Sequence, residues 1–378
     1  MNTELTLHQK TLTLHRYPVR TNEMLQAWDA GDEYLINHIE EQEITPQKHI
    51  LILNDHFGAL SCWFSQHHRV TVISDSFISH QGIKHNLEQN HCPTVTLLTS
   101  VDDIPNDVDM VLMQIPRNNR FLGWQLSQLR TALCSNVPLI AVNKAKDIHN
   151  STLKLFEQWF GATTTSLAWK KHRLVFSQPN TKKTAEHPPY LEWNIEHESI
   201  MLKNLPNVYS GENLDQGARF MLEHLPADPN IQHFTDLGCG NGVLSVKMGQ
   251  LNPQANIRCV DESFMAVESA RQNLLSNLQH AHQRDIECLA NNCLDNIAGQ
   301  STDMVLCNPP FHQQQAITDH IAWQMFCDAK HVLKKQGKLL VIGNRHLRYD
   351  IKLSRLFGKS NVKTVTGNKK FVILEATK

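Results

Sequence analysis

The chain carries almost no net charge. Its 378 residues include 36 lysines and arginines against 37 acids, a formal −1. That balance neither demands nor excludes a nucleic-acid partner, because gripping phosphates takes a local basic face rather than a basic average. Long apolar runs are missing too, and none approaches the roughly 18 residues that a membrane helix needs. The opening residues, Met1 to His8, show no basic segment followed by an apolar stretch, so no secretion signal is expected. The nine cysteines contain no C-x-x-C spacing, which argues against zinc and dithiol motifs and for reduced thiols in a cytoplasmic protein. The 22 histidines show no metal-ligating pair; His67, His68, His80, His85 and His91 read as surface residues, and no metal is expected.

What is present is globular: 41% hydrophobic and 19% charged residues, over a length that suggests two domains. In the second half, apolar runs at Ile231–Leu237, Ile257–Asp261, Thr302–Cys307, Lys338–Gly343 and Phe371–Ala376 read as strands. Helical spacing follows at Val243–Met248, Ala266–Leu278 and Trp323–Leu333. Alternating strands and helices predict an α/β fold with a parallel, doubly wound sheet.

The first half repeats that order. His49–Asp55 reads as a strand, Val70–Asp75 as a strand ending in an acid like Asp261, and Asp109–Arg117 as the counterpart of Asp303–Phe311. Pro138–Lys144 parallels Leu339–Arg345. An internal duplication is expected: a first domain over 1–180, a linker over 181–200 and a second domain over 201–378. The copies differ where chemistry would occur. In the first, the glycine loop has become Asn54-Asp55-His56-Phe57-Gly58, with the second and third glycines taken as lost. Gln114-Ile115-Pro116-Arg117 stands where the second copy has Asn308-Pro309-Pro310-Phe311. A sheet kept without its pocket predicts binding or support rather than catalysis.

In the second copy, Asp236-Leu237-Gly238-Cys239-Gly240-Asn241-Gly242 joins a strand to a helix. Many nucleotide-binding folds share such a loop, but G-x-G-x-G lacks the third glycine position of the dinucleotide fingerprint. Asp236 is placed to meet a cationic ligand. Asp261, at the next strand end and followed by Glu262, is placed to accept both hydroxyls of a ribose. Asn308-Pro309-Pro310-Phe311 is the more specific string. A conjugated exocyclic amine is a poor nucleophile. An amide oxygen and the Pro309 carbonyl at a stiff strand exit can each take one of its N–H bonds and aim its lone pair. Phe311 offers a flat face for the ring. Upstream, Asp215 stands where it would cap a helix.

The glycine loop, the acid at Asp261 and the Asn-Pro-Pro-Phe box resemble the class I S-adenosylmethionine-dependent methyltransferases that modify amino nitrogens. The resemblance implies S-adenosylmethionine as cofactor, with the loop under its methionine part and Asp261 on its ribose. It also implies a polar residue reading the adenine, Asn292 or its neighbour Asn291, and places Asp215 beside the cofactor. Two tandem Rossmann-like copies, the first degenerate, together with Asn308 to His312 and Gly211 to Gly217, resemble the bacterial ribosomal RNA guanine-N2 methyltransferases. Asn308 to Asp319, Asn344 to Leu347 and Asn368 to Val372 favour the large-subunit branch over the small-subunit one. The implied activity is methylation of the N2 amine of one guanine in 23S rRNA, protein-free or early in assembly, by a monomer without DNA or membrane partners. The alternatives are a guanine in 16S rRNA and, further off, glutamine N5 of a protein. Lys144, Lys146, Lys170, Lys171, Arg173, Lys182 and Lys183 in the first copy and linker, with Arg345, Arg348 and Lys352 in the second, are the expected RNA-backbone contacts.

Overall fold

The computed structural model describes residues 2–134, 136–180, 186–310 and 315–378, with the backbone alone for 315–319. The chain divides into two compact units, one ending at Pro189 and one starting at Tyr190. No helix among the described residues is long and apolar enough to cross a membrane.

The first unit runs β1 (Glu4–Leu7), β2 (Lys10–Thr13), α1 (Ala30–Glu41), β3 (His49–Leu53), α2 (Ala59–Phe64), β4 (Arg69–Ser74), α3 (Phe77–Gln89), β5 (Thr96–Thr99), β6 (Met110–Gln114), α4 (Asn119–Ala132), β7 (Leu139–Lys144), α5 (Asn150–Trp159), β8 (Gly161–Thr165) and β9 (His172–Pro179). The second runs β10 (Leu191–Ile195), β11 (Ile200–Asn204), α6 (Gln216–Leu222), β12 (His233–Leu237), α7 (Val243–Leu251), β13 (Asn256–Asp261), α8 (Phe264–Asn277), β14 (Ile286–Ala290), β15 (Thr302–Cys307), α9 (Gln315–Val332), β16 (Leu333–Asn344), α10 (Tyr349–Phe357), β17 (Val362–Gly367) and β18 (Phe371–Thr377).

Each unit holds one seven-stranded sheet, in the orders β5-β4-β3-β6-β7-β9-β8 and β14-β13-β12-β15-β16-β18-β17. The second order is the first with nine added to every label. Helices cover both faces of the middle strands, so His49–Leu53 is buried along its whole length. Two apolar clusters lie on the two faces of each sheet. The sheets are not wholly parallel, as expected from the strand–helix alternation. β18 enters antiparallel between β16 and β17, and β9 does the same between β7 and β8, because each belongs to a terminal hairpin.

The duplication extends further than sequence comparison suggested. An antiparallel hairpin precedes each sheet, β1–β2 in the first unit and β10–β11 in the second. Each is fastened by two asparagines one turn apart. In the first unit, Asn86 of α3 and Asn90, which caps its C-terminus, bond both ways to the backbone of His15 and Thr13 at 2.8–2.9 Å. In the second, Asn273 and Asn277 of α8 do the same to Lys203 and Met201 at 2.7–3.0 Å. The stretch from Leu191, expected as the end of a linker, is therefore a strand of the second unit. His80 is another departure: it is buried, with Nε2 3.1 Å from the carbonyl of Leu98, not a surface residue.

Strand pairing also corrects two alignments. Asn54 N donates to Ile73 O as Gly238 N donates to Val260 O, and Ser76 caps α3 as Ser263 caps α8. The counterpart of Asp261 is thus Ser74; Asp75 matches Glu262. Similarly, Val111 pairs with Leu139 and Val305 with Leu339, so Lys144 corresponds to Asn344, one residue off the register read from sequence.

Candidate active site

In the second unit, β12 hands the chain to α7 through three residues of positive φ: Gly238 (+76°), Gly240 (+53°) and Gly242 (+75°). L side chains rarely adopt this region. Gly242 also lets α7 approach α8, since a Cβ there would lie 2.9 Å from the Cα of Ala270. A Cβ on Gly240 would meet nothing within 4 Å, so the loop faces open space.

The Asp261 carboxylate, at the end of β13, reaches across to the loop. Its Oδ2 accepts the Gly240 N–H at 2.9 Å and its Oδ1 the Ser263 N–H at 3.1 Å. Burial raises its pKa, and these bonds pull the other way. Glu262 is exposed at the same strand end. Asp236 is not placed as expected. It is 1% exposed, sealed beneath the loop, and its Oδ2 accepts the Ser245 hydroxyl of α7 at 2.6 Å. Burial pushes it up to about 6. Its Oδ2 braces the helix, and its Oδ1 is buried without a partner among the described residues. Cys239 and Asn241 also turn inward: the first joins the apolar cluster, and the second donates to Asn204 Oδ1 at 2.9 Å. They shape the loop through their backbone.

Asn291 and Asn292 follow β14, beside Asp261; Asn291 N donates to the carbonyl of Asp261 at 2.9 Å. Asn292 Nδ2 is engaged by Asp295 Oδ2 at 2.7 Å, which leaves its oxygen to accept from an incoming amine. Asp215 does cap α6, accepting the Ala218 N–H at 2.9 Å.

Asn308 follows β15. Its Oδ1 is buried and has no hydrogen-bond partner among the described residues. A Cβ on Gly217, in the first turn of α6, would lie 3.7 Å from that oxygen and 3.6 Å from the Phe371 ring. A Cβ on Gly238 would lie 4.0 Å from the Asn308 carbonyl. Glycine loop, helix α6 and the Asn-Pro-Pro string therefore converge. Pro309 is buried and Pro310 exposed; Phe311 lies outside the described residues. Sequence reasoning missed Gly217, Phe371 and Asn344, whose Oδ1 is also buried without a partner among the described residues. Their only sequence signal was membership of the resembling strings.

The first unit fills the same positions from within. Gly58, at φ +89°, occupies the place of Gly242, so the glycines lost are the first and second, not the second and third. Asn54 takes the first place at φ +64° and His56 the second. Asp55 folds into the loop and accepts from Gly58 N, Ser61 N and the Ser61 hydroxyl at 3.0, 2.9 and 2.6 Å. Gln114, in the place of Asn308, donates to the buried Asp32 at 2.5 Å. The second unit has Ala218 where Asp32 stands, so no carboxylate at that place accepts from the Asn308 amide.

Of the basic candidates, Lys170 pairs with Glu33 at 2.7 Å and lies over the Trp169 ring at 4.5 Å. Arg348 pairs with Asp350 at 3.3 Å, and Arg345 Nε donates to the Asn368 carbonyl at 2.5 Å. Lys352 lies 6.0 Å from the Tyr349 ring centroid, and Arg173 is half-buried on β9. Lys144, Lys146 and Lys171 are exposed, and the bond from Ala145 N to Lys171 O at 2.8 Å holds their segments together. Lys182 and Lys183 lie outside the described residues.

Residues 2–181 match the RLMG N-terminal domain family, and residues 199–375 match the methyltransferase small domain family. The chain is similar to the ribosomal RNA large subunit methyltransferase G of Vibrio campbellii, with 65% identity over 100% of this chain and 98% of that protein. It is equally similar to the protein of the same name in Vibrio cholerae, with 65% identity over 100% of both. In fold it matches the T. thermophilus 16S rRNA N2 methyltransferase solved with AdoMet and guanosine. The TM-score is 0.74 at 18% identity, over 100% of this chain and 97% of that one.

Proposed function

The chain belongs to the ribosomal RNA large subunit methyltransferase G family, and on that premise we propose that it methylates the N2 amine of one guanine in 23S rRNA, using S-adenosylmethionine. One observation carries the reading: the buried Asn308 oxygen, without a partner among the described residues, beside a glycine loop that faces open space. A desolvated acceptor without a donor is unfavourable unless a ligand supplies one.

The residues present fit the cofactor. Gly238, Gly240 and Gly242 allow close approach to the backbone, Asp261 stands at the next strand end for ribose hydroxyls, and the Asn292 oxygen can accept from the adenine amine. When bound, S-adenosylmethionine supplies a methyl group already activated on a sulfonium. The chain's own task is positioning. Asn308 Oδ1 and the Pro309 carbonyl each accept one N–H of the guanine amine and hold its lone pair toward the loop. Prolines at this strand exit keep those acceptors rigid, and Phe311 is assigned the stacking face. This is catalysis by orientation and preorganised dipoles. No general base is required; one N–H proton leaves to water after transfer. Asp236 keeps α7 and the loop in place from below.

RNA recognition is assigned to the first unit, through Lys144, Lys146 and Lys171, with the target guanine unpaired or flipped out of its helix. The enzyme acts in the cytoplasm, as a 43.2 kDa monomer on protein-free 23S rRNA. The test is labelled methyl transfer to protein-free 23S rRNA, 16S rRNA, assembled subunits and release factor. Label in N2-methylguanine of 23S rRNA alone is the expected result. Label in 16S rRNA or in protein would overturn the substrate assignment.

A further inference from the structure

We infer that Asn344 sets base specificity, its side-chain oxygen accepting the N1–H of the target guanine while Asn308 holds the N2 amine. The inference rests on the proposed function and deepens it. Three buried side-chain oxygens of the second unit lack partners among the described residues: those of Asp236, Asn308 and Asn344. All three stand at the carboxyl ends of parallel strands, β12, β15 and β16. Asp236 is sealed beneath the loop, which leaves the two amides.

Strand register puts those amides on one face. Leu306 pairs with Leu340 and Cys307 with Val341, so Asn308 falls beside Ile342. Side chains alternate along a strand, so Asn344 lies on the face of Ile342. Asn344 also pairs with Phe371 on β18. Leu306, Leu340, Ile342 and Phe371 all belong to the apolar cluster on the α6 side of the sheet. The position of Gly217, close to both the Asn308 oxygen and the Phe371 ring, marks the same face. Two acceptors thus sit at the same edge of neighbouring strands.

Two acceptors side by side fit one base edge best. Guanine presents N1–H and the N2 amine next to each other, both donors. Adenine presents an acceptor at N1, and 2-aminopurine keeps the N2 amine but has no N1–H. A site built to hydrogen-bond a group rejects the analogue that lacks it, because its buried acceptor is then left alone. In the first unit the position of Asn344 is held by Lys144, an exposed cation that cannot accept.

The experiment uses full-length enzyme and short RNAs with guanine or 2-aminopurine at the mapped target position. Wild type is expected to prefer guanine by roughly 10,000-fold in kcat/KM, as for an analogue that lacks a group the polar site is built to hydrogen-bond. Asn344→Ala should bring that ratio close to one with the calorimetric affinity for S-adenosylmethionine unchanged. Asn344→Asp keeps an acceptor oxygen and should keep the preference. Asn344→Leu, which fills the space without accepting, should behave as alanine does and replaces it should the alanine variant misfold. A guanine preference that survives in Asn344→Ala or Asn344→Leu overturns the assignment alone. Wild-type enzyme that methylates neither RNA overturns the substrate reading, and the assignment with it.

Discussion

The two units share a sheet, a hairpin, a helix cap and a pair of hairpin-clamping asparagines, yet only the second joins a three-glycine loop to an amide oxygen without a partner among the described residues. The difference lies in what satisfies each polar group. In the first unit, Asp55 occupies the loop and Gln114 is matched by Asp32, so both groups at the site have partners from the chain. In the second, the loop faces open space and Asn308 lacks a partner among the described residues. Burial of a satisfied network is tolerated; burial of an orphaned acceptor persists where binding requires it.

The most severe way to break this contrast is Gly240→Arg. It places a long side chain in the open space of the second loop, and titration calorimetry should show complete loss of S-adenosylmethionine binding. Wild type should bind one molecule per chain. Replacing Asn54 and His56 by glycine in the first unit should not create a second site, because Ser74 offers no carboxylate and Asp55 still fills the loop. A stoichiometry of two in wild type would contradict the self-filled pocket.

Next comes Asn308→Ala. It removes the acceptor proposed to hold the guanine amine, and methyl transfer should fall by roughly 100-fold or more. Cofactor affinity should stay near wild type. Turnover close to wild type would reduce Asn308 to a strand end.

Charge reversal of Lys144 and Lys171 should weaken 23S rRNA binding more moderately. It should also flatten the salt dependence, by about one unit of slope for each phosphate no longer neutralised. Lys170→Glu should matter less for RNA, since that lysine already pairs with Glu33. Equal effects at Lys170 and Lys171 would show that the Glu33 pair opens on binding, and an unchanged slope would remove this cluster from the RNA site.

The gentlest effect concerns pH. Asp236, lifted from 3.8 to about 6, binds its proton more tightly folded than unfolded. Its contribution to stability is therefore complete below about 3.8 and is lost as the pH rises through about 6. The first unit has Ile52 at this position, but its buried Asp32 and Asp55 carboxyls are raised by burial too and titrate in the same direction. In Asp236→Asn, thermal melts between pH 4 and pH 6 should lose part of their downward trend. An unaltered trend would assign it to other groups.

Much of this was readable beforehand, for local reasons. Stretches such as Ile50–Leu53 are continuous apolar runs, and three glycines at alternate positions mark a loop no other residues form easily. Asn308-Pro309-Pro310 combines an amide with a rigid strand exit. The hairpins were missed because four- and five-residue strands carry little periodicity and are held by asparagines some 70 residues away, as Asn86 holds His15. Asp75 was matched to Asp261 because both halves end a strand in acidic residues, and a one-residue slip leaves the sequence pattern intact while moving every side chain to the other face.

Composition and spacing therefore sufficed for the architecture and the duplication, since these depend on burial patterns along the chain. Which groups stay free depended on pairing across it. Lys170 looked available until Glu33, far upstream, was seen to bind it, and Asp236 looked like a ligand until Ser245 closed over it. Asn308 and Asn344 stand apart for the opposite reason. Their oxygens are buried without a donor among the described residues, and whether a buried acceptor is matched is a property of what surrounds it in space.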